Sequence, residues 1–211
     1  MMKDTLDFDA VIVAAGDFPR HEIPVATLDR NRENIISCDS AANELLQRGY
    51  MPKFGIGDGD SIAPTAKKLL SDRMIVVAEQ ENNDLTKAVK FAVSMNMKKI
   101  AILGATGKRE DHTLGNIGLL ADYMDVADVV MLTDYGCFFA MNGNKTVKAK
   151  PGQQISFFCM DAAPLTVRGV KWLIENRTLT RWWQGTLNEV TEENVEIETQ
   201  GKIVVFLKYE K

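Results

Sequence analysis

The strongest constraint on the fold is an alternation of short apolar runs with longer amphipathic segments over the first two thirds of the chain. Such alternation is typical of βα units on a parallel sheet. The predicted strands are 10–15, 34–37, 53–56, 74–78, 99–104 and 128–132. Apolar residues spaced at intervals of three and four predict helices at 41–49, 65–72, 84–95 and 112–124.

After about Thr133 the helical period disappears, and apolar runs alternate with the turn signals NGN, PG and QGK. This part is predicted to be an antiparallel β-sandwich or small barrel, with residues 138–149 forming a hairpin. The predicted fold class is therefore α/β: an N-terminal, mostly parallel sheet with flanking helices, followed by a C-terminal antiparallel β-sandwich-like domain. We expect the domains to be residues 1–140 and 141–211, with a boundary between Leu132 and Gly152.

The composition favours a protein that binds small ligands. A net charge of -4 and a pI near 5.3 provide no basic field for a phosphate backbone, so nucleic acid is not an expected partner. No apolar run approaches the ~20 residues that cross a bilayer, and the first residues do not resemble a secretory signal. We therefore expect no membrane partner and a cytoplasmic location. The three cysteines show no paired spacing that would indicate zinc or disulfides.

Polar loops follow four successive predicted strands. Because ligands bind at the carboxyl ends of strands in open α/β sheets, these loops are expected to form one acidic cleft that needs a cation. The residues concerned are Asp39 after the second strand, Asp58, Gly59, Asp60 and Ser61 after the third, Gln80, Asn83 and Asp84 after the fourth, and Gly104 to His112 after the fifth.

The GDGDS segment, residues 57–61, carries two carboxylates two residues apart on a glycine-containing turn. They can point at one hard cation such as Mg²⁺ and leave room for water and phosphate. The alternative is that Asp58, Asp60 and Ser61 only form a turn and cap the helix that begins near Pro64. An EF-hand is excluded, because Leu69 occupies the position of its bidentate Glu.

The EQENNDLTKA segment, residues 79–88, precedes and starts an amphipathic helix. Asn83 or Asp84 can simply be its N-cap, with Lys87 a solvated first-turn residue. If the segment faces the GDGDS loop, Asp84 is instead a metal ligand and Lys87 lies within reach of a phosphate.

The GATGKREDHTLGN segment, residues 104–116, places glycines between a strand and a helix. Backbone N–H groups there can approach phosphate oxygens, and Arg109 can clamp an oxyanion. The spacing matches neither a Walker A loop nor GxGxxG. His112 can be either a capping or a catalytic residue.

These motifs together resemble the thiamin pyrophosphokinase family over nearly the whole chain. Four family elements are matched: CDSAAN (38–43), GDGDS, the set of Gln80, Asp84, Leu85 and Lys87, and GATGKREDHTLGN. The segments LIENRTL (173–179) and GTLNE (185–189) resemble the family's final motif. The chain departs from the family pattern at Ser40, Ala41, Gly59 and Leu187.

The resemblance implies a homodimer in which ATP and Mg²⁺ bind the α/β domain and thiamin binds near the dimer interface. The reaction moves the pyrophosphoryl group of ATP to the thiamin hydroxyl, giving thiamin diphosphate and AMP. It implies Mg²⁺ ligands at Asp39, Asp58, Asp60 and Asp84. The resemblance implies catalytic roles for Asp58, Asp60, Asp84, Lys87, Arg109, Asp111 and His112. The implied ATP contacts are Asp39, Asn43, Ser61, Gly104, Thr106, Gly107 and Thr113. The implied thiamin contacts are Gln80, Thr186 and Asn188.

Three questions stay open at this level. The proton acceptor is a metal-proximal Asp or His112. One of Trp172, Trp182 and Trp183 either stacks on thiamin or serves only in core or interface packing. The alternative functions are a nucleotide- or thiamin-binding regulatory module without turnover and a transferase that acts on another hydroxylated heterocycle.

Overall fold

A computed structural model describes residues 6–77, 79 and 81–210 of the chain. Six parallel strands form one half of its sheet: β1 (Ala10–Val13), β2 (Ile35–Cys38), β3 (Phe54–Gly57), β4 (Met74–Val76), β5 (Lys99–Leu103) and β6 (Asp128–Leu132). Their spatial order is β4-β3-β2-β1-β5-β6. The chain therefore runs outward from β1 to β4 and then returns to the other side of β1, which opens a crevice at the carboxyl ends of β1 and β5.

Six α-helices connect or follow these strands: α1 (Glu22–Arg30), α2 (Ala41–Gln47), α3 (Pro64–Leu69), α4 (Asp84–Ser94), α5 (Glu110–Gly118) and α6 (Leu120–Tyr123). Leu28 of α1 and Leu45 of α2 pack with one face of β1, whereas Leu85 and Val89 of α4 belong to the core on the opposite face. Cover on both faces explains why every residue of β1 and β2 is buried.

Two helix predictions need correction. Helix α1 was not predicted, although Pro24 is compatible with the first turn of a helix, where backbone N–H groups have no intrahelical acceptor. The single helix predicted at 112–124 is two helices, because α5 ends at Gly118 and α6 begins after Leu119.

An antiparallel region completes the sheet: β7 (Gly136–Lys148), β8 (Gln154–Cys159), β9 (Leu165–Arg168), β10 (Ile174–Arg177), β11 (Asn188–Glu189) and β12 (Asn194–Lys208). Strand β7 pairs with β6 on one side and with β12 on the other, so the two regions share one sheet. The first half of β12 also pairs with β9 and its second half with β8. Side chains from both halves, including Ile197 and Val205, lie in one apolar cluster.

The predicted hairpin at 138–149 is wrong. Residues 136–148 form the single strand β7, and NGN lies within it. QGK likewise lies inside β12, opposite the same point, where the pairing register shifts between Thr199 and Ile203. The two glycine-containing signals therefore bend a pair of strands instead of reversing the chain.

The α/β fold class with an antiparallel C-terminal region is confirmed. The domain boundary at 140/141 stays a prediction, and β7 continues across it. No helix in the described part of the chain is long and apolar enough to span a membrane.

Candidate active site

Asp39 lies just beyond β2 and is the most buried carboxylate of the predicted site. Its side chain lies against Gly57, where an added methyl group would approach the Asp39 Cβ to 2.9 Å. Its Oδ1 accepts a hydrogen bond of 3.2 Å from the Gly59 backbone N–H, and the Ser61 side chain also hydrogen-bonds the carboxylate. The loop after β3 is therefore folded around Asp39.

Electrostatics place further acidic groups near Asp39. Burial raises the pKa of the Asp39 carboxyl, and the charges of Asp84 and Asp58 raise it further, against the lowering effect of its hydrogen bonds. Residues from the loops after β2, β3 and β4 thus act on one another electrostatically. The single acidic cleft predicted from four loops stays a prediction, which these interactions among three loops support.

Asn43 fixes the GDGDS loop from helix α2. Its Oδ1 accepts from the Ala63 N–H at 2.9 Å, and its Nδ2 donates to the Ser61 carbonyl at 3.1 Å. Asp58 accepts a hydrogen bond of 3.1 Å from the Asp60 N–H, which shapes the turn.

The capping alternative is not supported. Helix α3 has Ala63 as its N-cap, with no side-chain hydrogen bond there. Asp58, Asp60 and Ser61 are exposed at the rim, and Asp58 and Asp60 show no ion pair within the described residues.

Helix α4 presents Asp84 and Lys87 at the same rim. Asn83 is the N-cap, because its Oδ1 accepts from the Thr86 N–H at 2.8 Å, so Asp84 is not needed for that role. The Lys87 side chain is only 4% exposed, and its Nζ lies 3.3 Å from Asp84 Oδ1. The solvated-lysine alternative is therefore wrong. Gln80 lies outside the described residues.

The donor chemistry fits Mg²⁺, since Asp39, Asp58, Asp60 and Asp84 offer carboxylate oxygens. Among the described residues, however, no group of three or more His, Cys, Asp or Glu side chains is already arranged to hold a metal ion. The metal set therefore stays a prediction.

The glycine loop after β5 packs on the loop after β1. Gly16 and Asp17 donate backbone hydrogen bonds to the carbonyls of Gly104 and Thr106, at 2.7 and 2.8 Å. Gly104 and Gly107 have φ angles of +62° and +80°, which glycine adopts without strain. Thr113 Oγ1 accepts a hydrogen bond from the Gly107 N–H at 3.2 Å. This N–H, which was predicted to donate to a phosphate, therefore already donates to a side chain of the protein.

Arg109 is paired with Asp111 through two hydrogen bonds. This interaction lowers the pKa of Asp111 to about 2. Both side chains are exposed, so the guanidinium can exchange this partner for a phosphate. His112 is exposed and donates its backbone N–H to Asp111. It does not cap α5, because the N-cap is Arg109 and has no side-chain hydrogen bond.

Two of the three predicted thiamin contacts, Thr186 and Asn188, lie in the antiparallel region. Thr186 is exposed and donates to the Trp183 carbonyl at 2.8 Å. Asn188 is buried, and its side chain bonds both the N–H and the carbonyl of Trp172, at 3.1 and 2.7 Å. Asn188 thus holds the backbone beside Trp172, whose ring is 55% exposed. These contacts do not include the acidic rim.

A cavity of about 670 Å³ opens beside the acidic rim, at the crevice between β1 and β5. Gly104, Thr106, Gly107 and Thr113, all predicted ATP contacts, line it. Five polar residues of its wall were not predicted: Asp17, Arg20, Thr133, Asp134 and Tyr135. Asp17 could have been found by applying the strand-end rule to β1 as it was applied to the next four strands.

Comparison with known proteins gives matches along most of the chain. Residues 25–131 match the family described as "Thiamin pyrophosphokinase, catalytic domain", and residues 136–206 match "Thiamin pyrophosphokinase, substrate-binding domain". The chain belongs to the thiamin pyrophosphokinase family. The resemblance seen in the motifs is confirmed, and the junction between the two matched segments falls at the β6–β7 turn beside the cavity.

Individual relatives agree with this assignment. The chain is 30% identical to the thiamine pyrophosphokinase of Bacillus subtilis (strain 168) over 179 residues, 80% of this chain and 83% of the relative. It is 26% identical to thiamine pyrophosphokinase 1 of Oryza sativa subsp. japonica over 172 residues, 74% of this chain and 65% of the relative.

Solved structures share the fold. A thiamin pyrophosphokinase family protein from Enterococcus faecalis aligns with a TM-score of 0.78 at 23% identity, covering 96% of this chain and 99% of that one. Thiamin pyrophosphokinase from Candida albicans gives a TM-score of 0.78 at 18% identity, with 96% and 90% covered.

Proposed function

We propose that this chain transfers the pyrophosphoryl group of ATP to the hydroxyl of thiamin, giving thiamin diphosphate and AMP. The observation that supports the proposal is that the charges of Asp58 and Asp84 act on the buried Asp39, while Asp84 forms an ion pair with the buried Lys87. The identity of the two substrates, ATP and thiamin, is inferred from family membership. The acidic rim suits both a divalent cation and the positively charged thiazolium of thiamin.

Asp39, Asp58, Asp60 and Asp84 would hold Mg²⁺, which supplies positive charge against the phosphate oxygens when bound. Lys87 adds a cation fixed by burial, so it need not be ordered when the substrate arrives. Arg109 adds a second cation once its guanidinium leaves Asp111 for a phosphate.

In the reaction the thiamin hydroxyl oxygen forms a bond to the β-phosphorus of ATP. The bond from that phosphorus to the oxygen bridging to the α-phosphorus breaks, and AMP leaves with this oxygen. The hydroxyl proton passes to a carboxylate at the rim. A metal-proximal Asp is the first candidate for this role, and His112 is the second.

We assign the thiamin site to Thr186 of the antiparallel region, where Asn188 holds the Trp172 segment, and to Gln80 of the N-terminal region. We propose that the active assembly is a homodimer, in which this region of one copy approaches the rim of the other. Equilibrium sedimentation of the full chain tests this: a single monomeric species at micromolar concentration would contradict it.

The experiment that tests the function is product analysis with ATP, thiamin and Mg²⁺. We expect AMP and thiamin diphosphate in equal amounts, with both lost when EDTA removes the metal. Saturable binding of ATP and thiamin without AMP would show a regulatory module instead. Faster turnover of another hydroxylated heterocycle than of thiamin would reassign the substrate.

A further inference from the structure

Two asparagine side chains, Asn83 and Asn116, form a bridge between helix α4 and the glycine loop. Asn116 Nδ2 donates to the Ala105 carbonyl at 2.9 Å, and Asn116 Oδ1 accepts from Asn83 Nδ2 at 3.4 Å. Asn83 Oδ1 in turn accepts from the Thr86 N–H and so caps α4. The orientation of each amide is therefore fixed, because reversing either one would set two donors or two acceptors against each other.

The two ends of the asparagine bridge belong to elements that are assigned to the phosphates. Helix α4 carries Lys87, whose side chain is only 4% exposed and therefore moves only with the helix. At the other end, Ala105 directly precedes Thr106, a predicted ATP contact. The bridge therefore helps to set the separation between the Lys87 ammonium and the glycine loop.

Asn116 also sets the direction of a backbone donor. The Ala105 carbonyl and the Thr106 N–H belong to one trans peptide, so they point in opposite directions. Because Asn116 holds the carbonyl, the Thr106 N–H is turned away from Asn116. Thr106 lines the cavity, and its N–H has no acceptor among the residues that the structure describes. A fixed, unpaired N–H can donate to an oxyanion without first giving up another bond.

A second contact fixes helix α4 from below, independently of the asparagine bridge. The hydroxyl groups of Thr86 and Tyr123 share a buried hydrogen bond of 2.7 Å, which joins α4 to α6. This contact lies in the core and does not include the glycine loop. Removing Asn116 should therefore leave α4 folded in its place and change only how its first turn meets the loop.

We infer that Asn116 is a positioning residue for pyrophosphoryl transfer. It holds the glycine loop and α4 at the separation at which the Thr106 N–H and the Lys87 ammonium act on one triphosphate. The inference rests on the proposed function for the identity of the reaction. Asn116 is not among the described residues that line the cavity, and both ends of its amide are used within the protein. Its loss should therefore lower kcat more than it raises KM.

The test is steady-state kinetics of AMP release by two single variants and their combination. Asn116→Ala removes both contacts of the amide and is expected to lower kcat ~10-fold, with the KM for ATP within ~2-fold of wild type. Asn83→Ser retains the cap, because serine caps helices about as well as asparagine, but it lacks the Nδ2 donor. We expect it to lower kcat ~3-fold.

The combined variant decides whether the two side chains act as one bridge. Its kcat should fall ~10-fold and not ~30-fold, because the second change removes a bond that is already lost. Asn194→Ser is the matched control, since Asn194 is exposed at the start of β12 and its side chain has no hydrogen-bond partner among the described residues. Unchanged kcat in a folded Asn116→Ala protein overturns the inference. So does a ~30-fold loss in the combination, or a raised KM at constant kcat, which would make Asn116 a substrate contact.

Amide NMR spectra of the ligand-free protein give a readout that does not depend on turnover. Asn83→Ser should move the Thr106 N–H signal, although residue 83 makes no hydrogen bond to the glycine loop itself, and Asn194→Ser should not. An unmoved Thr106 signal in Asn83→Ser refutes the bridge. If Asn116→Ala does not fold, the kcat and the spectrum of Asn83→Ser decide. If the wild type releases no AMP from ATP and thiamin, the proposed function fails, and the spectrum alone decides whether the bridge exists.

Discussion

Replacing Lys87 by Met separates the catalytic role of its ammonium from a structural one. The ammonium is 3.3 Å from Asp84 Oδ1, and at an effective dielectric constant of about 20 their attraction is at most about 5 kcal/mol. Burying the ammonium costs several kcal/mol, which offsets most of that attraction. Met retains the apolar length of the side chain. The Asp84 side chain is 37% exposed, so solvent can still hydrate its charge in the variant.

We therefore expect the free energy of unfolding of Lys87→Met to stay within about 1.5 kcal/mol of wild type. The value of kcat/KM should fall at least ~100-fold, since about 2.7 kcal/mol of transition-state stabilisation is lost with a fixed cation at the phosphates.

Urea denaturation and a coupled assay of AMP release measure the two quantities. Lys90→Met is the control, because Lys90 is an exposed lysine on the same helix, and Asn82 is its one hydrogen-bond partner among the described residues. It should leave both quantities unchanged. A Lys87→Met protein that loses more than about 3 kcal/mol of stability but keeps its kcat/KM would show that the ion pair is structural.

Three further outcomes are expected. Asp60→Asn should lower turnover at least ~100-fold in a folded protein, because a Mg²⁺ ligand is lost; near-normal turnover would refute the assigned role. Gly136→Ala should lower the free energy of unfolding by about 1–3 kcal/mol, since its methyl group would lie 2.4 Å from a β12 carbonyl oxygen. Gly115→Ala, with open space around it, should not do so. Arg109→Ala should raise the pKa of Asp111 from about 2 toward its ordinary 3.8, as followed by NMR titration. Because this pKa is depressed, the pair stabilises the fold fully above pH 3.8, and that stabilisation disappears as pH falls through about 2; an unchanged Asp111 titration in the variant would exclude the pairing.

The parallel half of the fold could be predicted because residues close together in the sequence determine its strands and helices. Strand β1 is an uninterrupted apolar run, β2 is apolar except for Ser37, both are fully buried, and α4 carries apolar residues at helical spacing. Helix α1 was missed because Pro24 and the polar residues around it resemble a loop.

The bend shared by β7 and β12 could not be predicted in the same way. Whether Gly143 reverses a chain or bends it depends on pairing with Thr199, which is distant in sequence.

The same distinction holds for the candidate site. The rule that ligands bind at the carboxyl ends of parallel strands is enough to predict that Asp39, Asp58 and Asp84 lie at one edge of the sheet, whereas the metal set stays a prediction. The pairing of Arg109 with Asp111 and the burial of Lys87 depend on side-chain packing, which no motif records.

The shared sheet gives ligand binding a consequence for the folding of the whole molecule. Phe206 of β12 and Thr106 of the glycine loop both line the same cavity. A molecule held there would touch the antiparallel region and the parallel region at once, so its binding free energy opposes their separation. At a concentration of 100 times its Kd, such a molecule would add about 2.7 kcal/mol to the stability of both together. Saturation with such a ligand would then make unfolding of the two regions more cooperative.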